Sequence, residues 1–287
     1  MTDRRMKLHT LGTGGPRLDA ERSSSCHILE TGGQYLIFDI GRGAIQRIAQ
    51  KRLPIASLGP LFISHHHVDH IGEFANYLIT SWIEGRRAPL CVYGPPGTAA
   101  IVDILMASVY DRDIAFRTQG EKAFGPFVGA QVIELRGGEV VEGDGWRVRC
   151  AEVEHGHKLP FSNVFRRGWI CHAYRVECEG KVFSYSGDAV MCDALAGIAE
   201  NADLHLQCCY MPRSAFTRST HLQDVSRYTL ACSDTAGKIA ARAAVKQLVL
   251  THFKRLSVEE LLEIERDVRA DFSGPVHLSR DLSEYDF

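Results

Sequence analysis

Ser64-His65-His66-His67-Val68-Asp69-His70 follows directly on the apolar run Leu61-Phe62-Ile63. As His65-x-His67-x-Asp69-His70 it gathers imidazoles and a carboxylate into one short segment. Side chains alternate along an extended backbone, so His65, His67 and Asp69 face one side and His66 the other. His70 opens the next element and reaches a second metal that the first pair does not. Imidazole nitrogen with carboxylate oxygen suits zinc, and also manganese or iron. A plain polar loop is the other reading. A histidine run left by an expression tag would be terminal and would lack the Asp spacing.

A length of 287 residues accommodates one large domain or two small ones. Hydrophobic residues at 45% and charged residues at 24% are ordinary for a soluble globular protein. The net charge of −2 gives no overall basic field to attract nucleic acid. Nine scattered cysteines, none in a Cys-x-x-Cys pair, fit reduced thiols in a cytoplasmic protein. Met1–Lys7 is polar and basic with no apolar core behind it, so no signal peptide is expected. No apolar stretch approaches the roughly 20 residues that cross a bilayer, so no membrane is expected either.

Lys7–Leu11 reads as a strand broken by Gly12-Thr13-Gly14-Gly15-Pro16, a tight loop that lacks the Lys-Ser/Thr of a phosphate cradle. Cys26–Glu30 and Gln34–Gly41 read as strands. The second carries Asp39 near its end, either as a ligand or as a carboxylate that orients ligand histidines. Helical spacing marks Gly43–Lys51, Ile71–Glu84, Thr98–Tyr110 and Thr235–Val245, the last capped by Ser233 or Asp234. Ser257-Val258-Glu259-Glu260 is a capping box that opens a helix to about Arg269. Leu90–Tyr93 reads as a strand, and Asp111–Gly145 as loops with short strands around Val132-Ile133. Trp146–Val153 alternates into Glu154-His155-Gly156-His157. Tyr174–Cys178 and Lys181–Tyr185 flank the hairpin signal Glu179-Gly180 and run out at Ser186-Gly187-Asp188. Ala202–Cys209 is another strand, followed by a polar loop with His221, and Leu248–Leu250 ends at Thr251-His252. Several apolar strands thus end in a metal-binding type of residue, which points to one site at one sheet edge.

His65-x-His67-x-Asp69-His70, His155, Ser186-Gly187-Asp188 and Thr251-His252, in that order, resemble the metallo-β-lactamase superfamily. The opening Leu11-Gly12-Thr13-Gly14 and the Asp39-Ile40-Gly41 strand end are similar to its ribonuclease Z and arylsulfatase-like branch. The resemblance implies an α/β fold, an αββα four-layer sandwich, with residues 1–287 as a single domain. It implies two divalent metal ions, most simply Zn2+ with Mn2+ or Fe2+ as options. His65, His67 and His155 would hold one, Asp69, His70 and His252 the other, with Asp188 bridging. His155 is chosen over its competitor His157 because Val153-Glu154-His155-Gly156 matches the third motif. A Glu usually replaces His67 in the redox branch, so His67 favours hydrolysis. Two ions roughly 3.5–4 Å apart lower the pKa of a shared water, so that hydroxide is the nucleophile. Asp69 would orient it, and His221 or His157 would supply the proton to the leaving group. A homo-oligomer, most simply a dimer, is implied by the resemblance as well.

The chain also departs from that family. Gln207 and Cys208 stand where the tRNA-processing nucleases carry a His-Glu pair, and Ser233 stands near the place of a further His. Their long arm is absent from Lys158–Gly187, which holds Phe161, Phe165, Trp169 and Tyr174 with Arg166-Arg167. Rings beside a metal loop suit a small aromatic or acyl substrate. The expectation is therefore a dinuclear hydrolase of a small ester-like bond: an aryl or alkyl ester, sulfate ester, phosphodiester, lactone or activated aryl ether. Nucleic acid is disfavoured as a partner. A tRNA 3′-end endonuclease is the alternative, and a metal-binding, non-catalytic subunit of an assembly is the other.

Overall fold

Leu29, Leu36, Phe38 and Phe62 of one sheet meet Tyr174, Val176, Phe183 and Leu206 of a second, and this dry aromatic layer is the centre of the molecule. Phe62 stacks on Phe38 at 5.3 Å and on Tyr93 at 5.0 Å, and meets Tyr174 edge-on at 5.4 Å. Such ring pairs add about 0.5–1.5 kcal/mol each beyond the area they bury. The computed structural model describes residues 6–287.

The first sheet contains β1 (Lys7–Gly12), β2 (Cys26–Thr31), β3 (Gln34–Phe38), β4 (Leu61–Phe62), β5 (Leu90–Gly94) and β6 (Ala130–Glu134). The second contains β7 (Val140–Glu142), β8 (Trp146–Glu152), β9 (His172–Cys178), β10 (Lys181–Tyr185), β11 (Leu204–Cys208), β12 (Leu248–Thr251) and β13 (Val276–Leu278). The chain then returns to the first sheet, where β14 (Ser283–Asp286) pairs antiparallel with β1. Each sheet is antiparallel on one side, β1-β2-β3 and β7-β8-β9-β10, and parallel on the other. The parallel ladders are β3-β4-β5-β6 and β10-β11-β12-β13. Helices cover both outer faces. Ala44–Gln50 and Phe74–Ile83 pack on the first sheet, and Asp193–Ala199, Ser233–Arg242 and Val258–Asp271 on the second. This is the four-layer metallo-β-lactamase sandwich. Among the described residues no helix is long and apolar enough to cross a membrane.

The parallel strands put their carboxyl ends at one edge, where ligand-bearing loops gather in open α/β sheets. β3 runs into Asp39, β4 into His65, β10 into Asp188 and β12 into His252. At the same edge Asp281 fastens the N-terminal glycine loop. Its carboxylate accepts from Thr13 N at 3.0 Å, Thr13 Oγ1 at 2.7 Å, Ser23 N at 2.7 Å and Arg47 Nε at 3.0 Å.

Several helix boundaries differ from the sequence reading. The expected Ile71–Glu84 helix is two, Val68–Ile71 and Phe74–Ile83, because Glu73 N donates to Ile40 O at 3.0 Å instead of back along the helix. Thr98–Ile104 runs through a wide π-type turn at Leu105–Val109 into Asp111–Ala115 and Phe116–Glu121, where loops were expected. Arg117 ties this stretch together by pairing with Asp113 and Glu121. The helix near Thr235 begins at Ser233, and Cys232 is its cap, with its N–H donating to Thr235 Oγ1. The Ser257 capping box forms as expected, with Ser257 N donating to Glu260 Oε2 and Glu260 N to Ser257 Oγ.

Candidate metal centre

Asp39 is the pivot of the site although it faces away from the cavity. It sits just past β3 in the left-handed region, φ 57°, a strained setting for a residue with a Cβ. Its Oδ1 accepts from Ser64 N at 2.7 Å; Oδ2 accepts from Ser64 Oγ, His70 Nδ1 and Tyr185 Oη, each at 2.7 Å. Since Ser64 spends its proton on Asp39, Ser64 Oγ accepts from His65 Nδ1 at 3.0 Å. His155 Nδ1 donates to Thr229 O at 2.6 Å. In all three imidazoles the proton is therefore held on Nδ1 and the Nε2 lone pair is turned inward, as metal-binding histidines require.

Those lone pairs converge in two groups. His65 Nε2 and His155 Nε2 lie 3.0 and 3.3 Å from His67 Nδ1 and 3.9 Å from Asp188 Oδ2. His70 Nε2 and His252 Nε2 lie 3.3 Å apart, with Asp69 Oδ2 3.7 and 3.2 Å away. Asp188 Oδ2 is also 3.4 Å from His70 Nε2 and 3.3 Å from His252 Nε2, so one carboxylate oxygen faces both groups. His65, His67, His155 and Asp188 form one set able to hold a cation, and Asp69, His70 and His252 the other.

The donors fit divalent ions. Asp188 Oδ1 and His252 Nδ1 are buried without a hydrogen-bond partner, a costly arrangement unless something else occupies the space. Burial works against charge on the His70 imidazole, yet Asp188 and Asp39 outweigh it and hold that group well above its ordinary pKa. Burial likewise opposes ionisation of Asp188, but His252, His70 and His155 keep its carboxyl well below the usual range. Burial pushes His155 down to about 4 and, with the neighbouring His70 and His155 imidazoles, drives His65 far down. The electrostatics favour positive charge on the His70 side of Asp188 and neutral imidazoles at His65 and His155.

A cavity of about 280 Å³ opens on the site, lined among others by Pro16, His67, Val68, Thr229 and Leu230. The glycine loop closes it from one side: a Cβ on Gly15 would stand 3.1 Å from His252 Cε1. His66 points to the other face and bonds Thr98 Oγ1 at 2.8 Å, as strand alternation predicts.

All seven residues read as ligands from the sequence are brought together, and His157 is not among them. His157 Nδ1 accepts from His155 N at 2.9 Å and Nε2 donates to Trp169 O at 3.1 Å, so both its nitrogens are engaged away from the cluster. His221, expected as a candidate acid, is not brought to the cluster. Ser219 caps a short helix, Thr220–Asp224, which presents His221 to solvent and outside the cavity lining. Gln207 bonds His205 at 2.8 Å and Cys208 Sγ donates to Ala189 O at 3.4 Å; both are buried in β11. Tyr174 is core, its hydroxyl donating to Ile63 O at 2.6 Å. Sequence reasoning missed Ser64 and Tyr185. Tyr185 shares an inward face of β10 with Phe183, and a buried phenol needs an acceptor for its proton.

The sequence matches the profile of the "Beta-lactamase superfamily domain" over residues 36–253. It is 31% identical over 283 residues to a ribonuclease Z of Mycobacterium marinum, covering 96% of this chain and 97% of that protein. The crystal structure of the metallo-β-lactamase fold protein YhfI from Bacillus subtilis superposes with a TM-score of 0.74 at 20% identity, covering 99% of this chain and all of that one. Human tRNase Z, short form, gives 0.68 at 19% identity over 97% and 98% of the two chains. The expectation of a small-molecule substrate, with nucleic acid disfavoured, does not stand beside relatives named as ribonucleases. It rested on the absent arm, on Gln207 and Cys208 in place of a His-Glu pair, on the rings of Lys158–Gly187, and on a net charge, which is a sum over the whole surface and says little about any one groove. Lys158, Arg213 and Arg227 line a single groove of about 490 Å³, and Arg227 lies just before the Thr229-Leu230 wall of the metal cavity.

Proposed function

Since the chain belongs to the β-lactamase superfamily, we propose that this metal-dependent hydrolase cuts RNA phosphodiesters as a ribonuclease Z does, with transfer RNA precursors bearing 3′ extensions as its substrates. The observation that carries this is the end-to-end match to ribonuclease Z, 31% identical over 96% of the chain. The non-catalytic alternative is set aside, because every donor of the site is kept and aimed inward.

His65, His67 and His155 would hold one ion, Asp69, His70 and His252 a second, and Asp188 both; two zinc ions are the reading these donors suit best. Divalent ions bound there supply Lewis acidity to a phosphoryl oxygen and bring the pKa of a water towards neutrality. The protein's part is orientation. Asp39 and Thr229 fix the tautomers of His70 and His155, and Ser64 fixes that of His65. Asp69, 2% exposed in the cavity lining, would orient the attacking water when the ions are bound. The catalytic work of this chain rests on Asp69 rather than on His221. The shared core of the two sheets supports one domain, and the nine free thiols support a cytoplasmic location.

The test is incubation of the zinc-supplemented protein with a precursor transfer RNA carrying a 3′ trailer, with the product ends mapped. A single cut at the trailer junction that Asp69→Ala abolishes is expected. An intact precursor under conditions where the protein holds its metals would overturn the reading.

A further inference from the structure

The segment between His155 and β9 brings three rings into contact, Phe161 and Phe165 at the surface and Trp169 packed on the edge of the core. Phe161 and Phe165 lie 4.4 Å apart between ring centroids, and Phe165 stacks on Trp169 at 5.4 Å and 19°. Trp169 in turn meets His67 at 4.8 Å. The indole is fixed, since Nε1 donates to His155 O at 2.8 Å and its own carbonyl accepts from His157 Nε2. A continuous run of aromatic faces thus leads from a metal-facing histidine to the surface. Phe161 is 38% exposed and Phe165 42%, which core rings are not. The same short helix, Asn163–Gly168, carries Arg166 and Arg167, both exposed, with Lys158 just before it. Arg166 is held in place by a bond to Leu159 O at 3.2 Å.

Exposed, pre-positioned rings interleaved with cations are what single-stranded nucleic acid requires. Bases stack on the rings whatever their sequence, and the cations follow the phosphates. We propose that Phe161, Phe165 and Trp169 form a stacking platform for the unpaired bases of the RNA strand that flank the bond being cut. This rests on the RNA-cutting reading above and adds where the strand lies and which residues grip it. A duplex, whose bases are already stacked on one another, has no use for the rings.

Binding can be read without turnover. Trp82 is fully buried and Trp146 nearly so, which makes Trp169 the fluorophore a ligand at this surface quenches. The zinc-loaded full chain is titrated with octacytidylate, with an abasic octamer of equal charge, and with an RNA duplex of equal length. Octacytidylate is expected to quench the indole and to bind at least about tenfold tighter than the abasic octamer. Phe165→Ala and Phe161→Ala should each weaken octacytidylate binding by about tenfold, while Phe165→Tyr, which keeps a ring, stays near wild type. Unchanged melting of the alanine variants, whose rings are exposed, excludes misfolding; if Phe161→Ala fails to fold, the Ala/Tyr pair at Phe165 decides. Equal binding of base-bearing and abasic octamers, tighter binding of the duplex, or no effect of either alanine overturns the platform. A precursor left uncut while octacytidylate behaves as expected removes the nuclease reading and leaves the platform. A precursor cut normally, with binding indifferent to the rings, does the reverse.

Discussion

One oxygen atom, Asp188 Oδ2, faces four imidazole nitrogens from two directions. Asp188→Asn keeps the shape and removes the charge that balances two cations. RNA cleavage should fall by orders of magnitude with the circular dichroism spectrum unchanged, and elemental analysis should show fewer ions than the roughly two per chain expected of a two-metal hydrolytic site. Away from the candidate metal centre, His205 illustrates a different use of burial. It lies neutral between Ser184 Oγ and Gln207 Oε1, each at 2.8 Å, and burial lowers its pKa to about 4. In the unfolded chain the group titrates near its ordinary value of about 6.5. Between these limits the unfolded state binds the extra proton, so the contribution is complete above about pH 6.5 and is lost as the pH falls towards 4. His205→Asn should flatten the fall of the urea midpoint between pH 7.5 and pH 5 relative to wild type. An identical slope would mean that His205 is not buried neutral.

At the scale of elements, the strand ends were legible and the helices between them less so. Most strands are buried on both faces and so read as apolar runs, and at the active edge those runs lead within a few residues to Asp39, His65, Asp188 and His252. The Thr98–Glu121 stretch hid because Ile104, Val109 and Phe116 are each more than half exposed, so its apolar spacing does not mark a buried face. Thr220–Asp224, Asn163–Gly168 and Asp193–Ala199 are too short for a helical period to register. The motif at Val153–Gly156 pointed to His155 over His157, but the carbonyls that hold the two rings in place, Thr229 O and Trp169 O, were not visible in it. The close approach at Gly41 was equally invisible, because it is made with another loop. A Cβ there would stand 2.1 Å from the carbonyl oxygen of Asp69. Gly41→Ala should therefore push the ligand loop outward, costing about 1–3 kcal/mol in stability and lowering metal content. A variant with normal melting temperature and full metal loading would show that the loop has slack the packing does not suggest.

The molecule as a whole is two sheets joined over one aromatic core, and the candidate ligands come from both. His65, His67, Asp69 and His70 follow β4 of the first sheet; His155, Asp188 and His252 follow β8, β10 and β12 of the second. Ions bound to the native state alone stabilise it by mass action, and here they would also tie one sheet to the other. Removal by a chelator should lower the melting temperature by on the order of 10 °C in scanning calorimetry, with recovery on adding zinc. An unchanged transition would mean that the sheets do not depend on that tie. The bond between Asp281 and the glycine loop carries a consequence for how the chain is made. Thr13 and Ser23 leave the ribosome hundreds of residues before the carboxylate that fixes them and the strand that covers β1. Until then the nascent chain carries an open strand edge, the kind that pairs with strangers. Synthesis interrupted before Asp281 leaves a chain with every residue of the metal centre in hand and its first sheet still unsealed.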